Sequence, residues 1–271
     1  MESSFAWIPL FTLFLVHQGV SQFLEEPCGI EVQDRIIGGE NPRPEYAAFH
    51  AGIYSTRRGF LCSGTLITRR FVLTAAHCLD LEQDLFVGLG SFNKTDIRER
   101  YSVSQQIQHP QYRIGFLPYD IGLLKLSPMV VYNLNVIPIC IYTNKAIKKS
   151  VEMLRRFDAL GWGLKKHVKD SEILQTITLN QLDKDECREL AFQDLLSSQI
   201  CAGSPNDDTW VGDSGGPLIN KLQINNQIRT TQLGIVSFGR CDLSVYTDVT
   251  SFVDWIQETI NSSEDQQSGQ E

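Results

Sequence analysis

The sequence lacks any apolar run long enough to cross a bilayer. Its one sustained hydrophobic stretch, Phe5 to Val16, falls short of the roughly 18 to 20 residues that a spanning helix needs. It also lacks an excess of basic charge. With 24 Lys and Arg against 32 Asp and Glu, the formal charge is -8, which removes the broad positive field of a general nucleic-acid binder or of a protein held to anionic lipid. Heptads, internal repeats and low-complexity blocks are absent. Cysteine does not come in an even number, and seven half-cystines cannot all pair within one chain.

What is present suits a folded protein with a sizeable core, since 42% of residues are hydrophobic and 21% charged. Residues 1–21 read as a signal peptide, because a short apolar block near the initiator Met ends in the small residues Gly19 and Ser21. The mature chain is then expected to be secreted, in a compartment that permits disulfides. Residues 22–35, QFLEEPCGIEVQDR, are short and acidic, carry one cysteine (Cys28) and cannot fold alone. Arg35 marks an abrupt change to IIGGENP, a candidate single-basic cleavage site. At the far end, residues 261–271 contain no apolar residue and read as a disordered tail.

Between these ends, short apolar segments such as LCSGTLI, RFVLTAAH, DIGLLKL and LGIVSFG alternate with turn residues, which is all-β spacing. Two helices are expected. One covers about 183–194, with Asp183 and Glu186 at capping-box spacing; the other covers about 251–260, with Phe252, Val253, Trp255, Ile256 and Ile260 on one face.

Three residues stand where chemistry is possible. His77 ends the apolar run FVLTAAHC, Asp120 opens DIGLLKL, and Ser214 lies in VGDSGGPL between Gly212 and the pair Gly215 and Gly216. Taken singly, each has a bland explanation: a satisfied structural histidine, a solvated turn carboxylate, a glycine-flanked turn. Together they supply a nucleophile, a base and an orienting acid.

The segments IIGGENP, LTAAHC, DIGLLKL, GWG, GDSGGP, GIVSFG and VYTDV occur in the order found in the chymotrypsin and trypsin family of serine proteases, which residues 28–260 resemble. The resemblance implies two six-stranded antiparallel Greek-key β-barrels, about 36–145 and 146–260, with a C-terminal α-helix. It implies that Ser214 attacks a scissile carbonyl, that His77 shuttles the proton and that Asp120 holds the imidazole. The N–H groups of Gly212 and Ser214 would form the oxyanion hole. Cutting after Arg35 would free the amine of Ile36 to pair with Asp213, so the uncut chain is expected to be a zymogen. Asp208, six residues before the nucleophile, would receive a P1 Arg or Lys; a one-residue slip would give that role to Asp207. The edge Ser237, Phe238 and Gly239 would bind substrate backbone. No cofactor or metal is expected.

Among cysteines the family pattern selects Cys28–Cys140, Cys62–Cys78 and Cys187–Cys201, leaving Cys241 as the odd thiol. Two family bridges are missing. Phe157 takes one half-cystine position with no partner near residue 228, and Trp210 takes the place of a partner for Cys241. Ser244 stands where glycine commonly lines the primary pocket. Sequons occur at Asn93 and Asn261. The expected partners are protein or peptide substrates, an activating trypsin-like protease and protein inhibitors, with no nucleic acid and no membrane, and the chain is expected to be a monomer. Two alternatives stay open: a non-catalytic homologue acting as a regulatory partner, and an active protease with chymotrypsin-like or elastase-like P1 preference.

Overall fold

The computed structural model describes residues 22–30, 48–115, 118–163, 171–191, 194–204, 214–224, 226–240 and 243–268. Within them, six strands close a first antiparallel barrel: β1 (His50–Ser55), β2 (Gly59–Leu66), β3 (Phe71–Thr74), β4 (Leu85–Leu89), β5 (Glu99–Gln108) and β6 (Gly122–Ser127), in the order β1-β2-β3-β6-β5-β4. A second barrel holds β7 (Arg156–Gly161), β8 (Gln175–Gln181), β9 (Gln199–Gly203), β10 (Pro217–Ile224), β11 (Gln227–Arg240) and β12 (Leu243–Asp248), in the order β7-β8-β9-β12-β11-β10. This is the all-β, two-barrel architecture expected from the sequence.

The apolar runs read as strands for a physical reason. FVLT of β3 is buried along its whole length, and so is GLLKL of β6, since both lie in the barrel wall where neighbouring segments cover the outer face as well. By contrast β5, ERYSVSQQIQ, buries only Tyr101 and carries its polar residues outward. The first barrel's core runs without a break into the seam between barrels, where Trp162, Ile219, Ile235, Phe252 and Ile256 join it. Loops tie the barrels together as well. Lys94 N–H donates to Glu172 O and Leu174 N–H donates to Phe92 O, both at 2.9 Å, and Trp162 Nε1 donates to Phe92 O at 3.0 Å.

The helices depart from expectation in three ways. A helix not foreseen, α1 (Ile147–Glu152), forms after an Asn144 side chain accepts the Ala146 N–H at 2.9 Å; it buries Ile147 and Val151, one turn apart. In the segment expected as a helix over 183–194, residues 184–187 form turns and, among the described residues, the helix is limited to α2 (Arg188–Ala191), although Glu186 does accept the N–H of Asp183 at 3.2 Å as a capping box requires. The last helix, α3 (Val253–Ser268), continues well beyond residue 260 into the stretch read as a disordered tail. Its extension is anchored by Lys125, a buried lysine in β6 whose Nζ donates to Ser263 O at 2.6 Å. Composition alone does not reveal that contact, because the lysine lies in the other barrel.

Residues 22–30 form a strap against the segment that links the barrels and against β11 of the second barrel. Leu24 N–H donates to Ile141 O at 3.0 Å, Gly29 N–H to Pro138 O at 2.9 Å and Thr230 N–H to Gly29 O at 3.0 Å. Gly29 is required here: its φ is +55° and a Cβ would lie 2.3 Å from Thr230 O. Cys28 is bonded to Cys140 beneath Phe23.

Candidate active site

Each of the three chemistry-bearing residues lies at the end of a strand. His77 follows β3 in a short 3-10 turn over Ala76–Asp80, Asp120 precedes β6, and Ser214 precedes β10. The structure brings them to one seam between the barrels. Asp120 Oδ2 accepts the ring Nδ1–H of His77 at 2.8 Å, and Oδ1 accepts the His77 backbone N–H at 2.9 Å. The Asp120 side chain is 4% exposed and the His77 ring 31%, so the carboxylate is withdrawn from water while the imidazole faces the cleft.

A buried carboxylate needs several donors, and the second barrel supplies one more: Ser237 Oγ donates to Asp120 Oδ2 at 2.5 Å. Thr247 Oγ1 holds the backbone of the same residue, donating to the Asp120 carbonyl at 2.9 Å. The sequence placed Ser237 on a substrate-binding edge; its bond to Asp120 was not foreseen. What produces it is a register shift between Val236 and Phe238 on β11, which leaves Ser237 without a partner in the β11–β12 pairing and free to turn toward the aspartate. A bulge of this kind has no signal in residue type.

Ser214 is set against the first barrel. Its carbonyl accepts the Ser63 N–H at 2.9 Å, and the next residue's N–H, from Gly215, donates to Val236 O at 2.9 Å. Gly215 has φ +80°, and a Cβ there would lie 2.2 Å from Thr74 Oγ1 and 2.4 Å from Ser63 O. No other residue fits so closely against the strand end that leads into His77. The Cys62–Cys78 disulfide ties β2 to the turn carrying His77. Among the described residues no hydrogen bond joins Ser214 Oγ to His77 Nε2, whose neighbour is Cys78 Sγ at 3.8 Å; such bonds are often long before substrate binds.

Cys62, His77 and Cys78 also bring three potential ligand atoms within 4.8 Å of one another. Both sulfurs are committed to the disulfide, so the cluster offers no thiolate to a metal.

The remaining candidate residues divide into those placed and those outside the described residues. Ser237, Phe238 and Gly239 lie on β11, and Gly239 faces Ser244 of β12. A Cβ at Gly239 would meet Ser244 Oγ at 2.1 Å, so the buried Ser244 hydroxyl occupies the space above that edge. The bridges Cys28–Cys140, Cys62–Cys78 and Cys187–Cys201 are all formed. Arg35, Ile36, Asp207, Asp208, Trp210, Gly212, Asp213 and Cys241 lie outside the described residues. Phe157 is buried in the second core. It pairs with Leu179 of β8, and on the other side of β7 lies β10, where Asn220 Nδ2 donates to Arg156 O at 2.8 Å. Ile228 is exposed at the β10–β11 hairpin.

Asn93 sits in the loop before β5, with its Oδ1 accepting Thr95 N–H at 2.8 Å and Thr95 Oγ1 at 2.7 Å. Asn261 lies inside α3, two residues before the buried Ser263. His50 and His109 are both buried. Burial pushes the His50 imidazole down to about 3, and lowers His109 in the same direction.

Comparison with known proteins places this geometry. The family model described as Trypsin matches residues 36–256. Trypsin II-P29 of Gallus gallus is 34% identical over 265 residues, covering 92% of this chain and 98% of that protein. The clotting factor G beta subunit of Tachypleus tridentatus is 32% identical, covering 90% and 84%. The crystal structure of the Drosophila Grass clip serine protease of the Toll pathway superposes with a TM-score of 0.75 at 26% identity, covering 87% of this chain and 75% of that one. A serine just before the left-handed Gly215, a histidine on a disulfide-tied turn and a buried aspartate that holds this histidine thus sit in a fold and a sequence that agree: the chain belongs to the trypsin-like family of serine proteases.

Proposed function

We propose that the chain is a secreted serine endopeptidase, made as a zymogen and activated by cleavage after Arg35, that hydrolyses peptide bonds following Arg or Lys. The observation that carries this reading is the two-point hold of Asp120 on His77, at 2.9 and 2.8 Å. With Nδ1–H committed to the carboxylate, a neutral ring presents Nε2 as the acceptor that a general base needs. Ser214 Oγ gives its proton to Nε2 as it bonds to the substrate carbonyl carbon. The tetrahedral oxyanion is received by the N–H groups of Gly212 and Ser214, each such donor being worth about 3 kcal/mol to the transition state. His77 then returns the proton to the departing amine, and a water repeats the cycle to release the acyl group from Ser214.

The amine of Ile36, paired with Asp213, would order the oxyanion loop, and Asp208 would hold the P1 cation. Substrate backbone would lie along Ser237 to Gly239. The Cys28–Cys140 bridge would keep residues 22–35 attached after the cut, and Asn93 would carry a glycan, its side chain already in a loop turn rather than within a helix. Partners would be protein substrates, a trypsin-like activator and protein inhibitors, and no cofactor is needed for these steps.

The test is to cut the purified chain after Arg35 with a trypsin-like protease, add a fluorophosphonate probe and profile a P1 peptide library. Labelling of Ser214 and preference for P1 Arg or Lys are expected. No label would favour a non-catalytic homologue. A second P1 class has its own supporting observation, since Ser244 is buried against Gly239 beside the pocket edge; labelling with aromatic or small P1 preference would select that reading.

A further inference from the structure

The aspartate of the proposed triad is the centre of a three-residue turn, with the Ile121 N–H donating to Tyr119 O at 2.8 Å across Asp120. The chain enters this turn through Tyr119 at φ +63°. That is the left-handed region, where a Cβ crowds its own carbonyl and a bulky residue is an outlier. Glycine or asparagine adopts it readily. A tyrosine must be held there.

The holding contacts are visible. The Tyr119 ring stacks on His109 with centroids 5.1 Å apart and planes 12° off parallel, and Phe252 presents its ring edge-on at 6.0 Å. His109 is itself boxed by Phe252 at 5.3 Å and Trp255 at 5.1 Å. Its backbone N–H donates to Ile121 O at 3.0 Å, and its Nδ1 accepts the Gln111 N–H at 3.2 Å, which requires the neutral ring. One histidine therefore grips the turn at both ends, by stacking before Asp120 and by hydrogen bonding after it. Backbone strain beside a reacting group, maintained by its surroundings, is the usual form of stored strain at a functional site.

We propose that Tyr119 is a positioning residue, whose ring, clasped by His109, holds the left-handed bend that aims the Asp120 carboxylate at His77. The proposal rests on the triad reading above and adds a residue to it. It also gives the C-terminal helix a part in positioning the aspartate, because Trp255 of α3 and Phe252 just before it close the clasp.

The bend matters rather than the phenol, so variants separate the two. Tyr119→Phe should keep kcat within twofold of wild type. Tyr119→Ala, which loses the ring but keeps the disfavoured φ, should lower kcat at least tenfold with KM within twofold. The acid limb of its kcat/KM profile should move to lower pH as the imidazolium loses its carboxylate. Tyr119→Asn should recover kcat to within threefold of wild type. A Tyr119→Ala protein as active as wild type, or a Tyr119→Asn protein no better than Tyr119→Ala, would overturn the proposal. Should Tyr119→Ala not fold, His109→Leu replaces it: a loss of at least tenfold in wild type but under threefold alongside Tyr119→Asn supports the clasp, and equal losses reject it. The downfield proton resonance of the His77 Nδ1–H should weaken in Tyr119→Ala and return in Tyr119→Asn. That readout needs no turnover, so it tests the clasp even if Ser214 takes no label and the endopeptidase reading fails.

Discussion

Asp120 grips His77 twice, by the backbone N–H at 2.9 Å and by the ring Nδ1–H at 2.8 Å, so one carboxylate fixes both where the imidazole sits and which of its nitrogens carries the proton. Replacing Asp120 with Asn keeps the shape but presents an amide N–H that favours the wrong tautomer. The expected fall in kcat is on the order of 10⁴-fold, with KM and thermal midpoint little changed. Steady-state kinetics on the activated enzyme checks it, and a loss below tenfold would refute the role.

Ser237 Oγ reaches the same carboxylate at 2.5 Å. A hydrogen bond to a charged group contributes about 1.5 kcal/mol or more when buried, so Ser237→Ala should lower kcat about tenfold. The double variant Ser237→Ala with Asp120→Asn should lose little beyond Asp120→Asn alone, because both act through one group. Additive losses in the four-way kinetic cycle would argue against a shared path.

His50 is fully buried with its imidazole pushed down to about 3. In the unfolded chain it binds a proton near pH 6.5. Between those values the unfolded state holds the proton and the folded state does not, so stability falls as pH drops from 6.5 toward 3, by as much as a few kcal/mol. His50→Gln should flatten that acid limb in calorimetric scans from pH 4 to pH 7. An unchanged slope in the variant would mean that other groups set it.

Gly239 and Ser244 are fitted to one another, since a Cβ at residue 239 would lie 2.1 Å from Ser244 Oγ and 2.9 Å from Leu243 O. Gly239→Ala should therefore destabilise by about 1–3 kcal/mol, the usual range for overpacking. Adding Ser244→Gly should restore part of that, the rest being lost to the backbone oxygen. Chemical denaturation of the single and double variants measures it.

The strap over residues 22–30 combines a disulfide with backbone hydrogen bonds to the segment between the barrels and to β11. After cleavage at Arg35, the 22–35 peptide should stay bound under non-reducing denaturing conditions and separate on reduction. A Cys28→Ser protein should activate normally yet melt at a lower temperature, which scanning calorimetry would register.

Much of the site was legible in one dimension because the family fixes residue types where chemistry demands them. His77 follows an apolar strand while Asp120 and Ser214 precede one, and the three bridges are those that the family resemblance implies. The bulge at Ser237 was not legible, because a register shift depends on how two strands meet. Nor was the helical course of residues 261–268, since no apolar residue there announces the lysine that docks against it. The capping-box spacing at Asp183 and Glu186 overstated its helix, because the chain after it turns back to place Cys187 against Cys201.

By itself the sequence determined the all-β class and the order of the three chemistry-bearing residues, because strand periodicity and side-chain chemistry are local properties; the cysteine pairing came from the resemblance to a family. Tertiary structure alone decided what surrounds the aspartate. Four contacts on Asp120 come from His77 in its own barrel and from Ser237 and Thr247 in the other, and the bend at Tyr119 is held by rings from residues 109 and 252. Such a cage exists only once two barrels have closed and met, since Ser237 and Thr247 lie 117 and 127 residues from Asp120 along the chain and share no pattern with it until they touch.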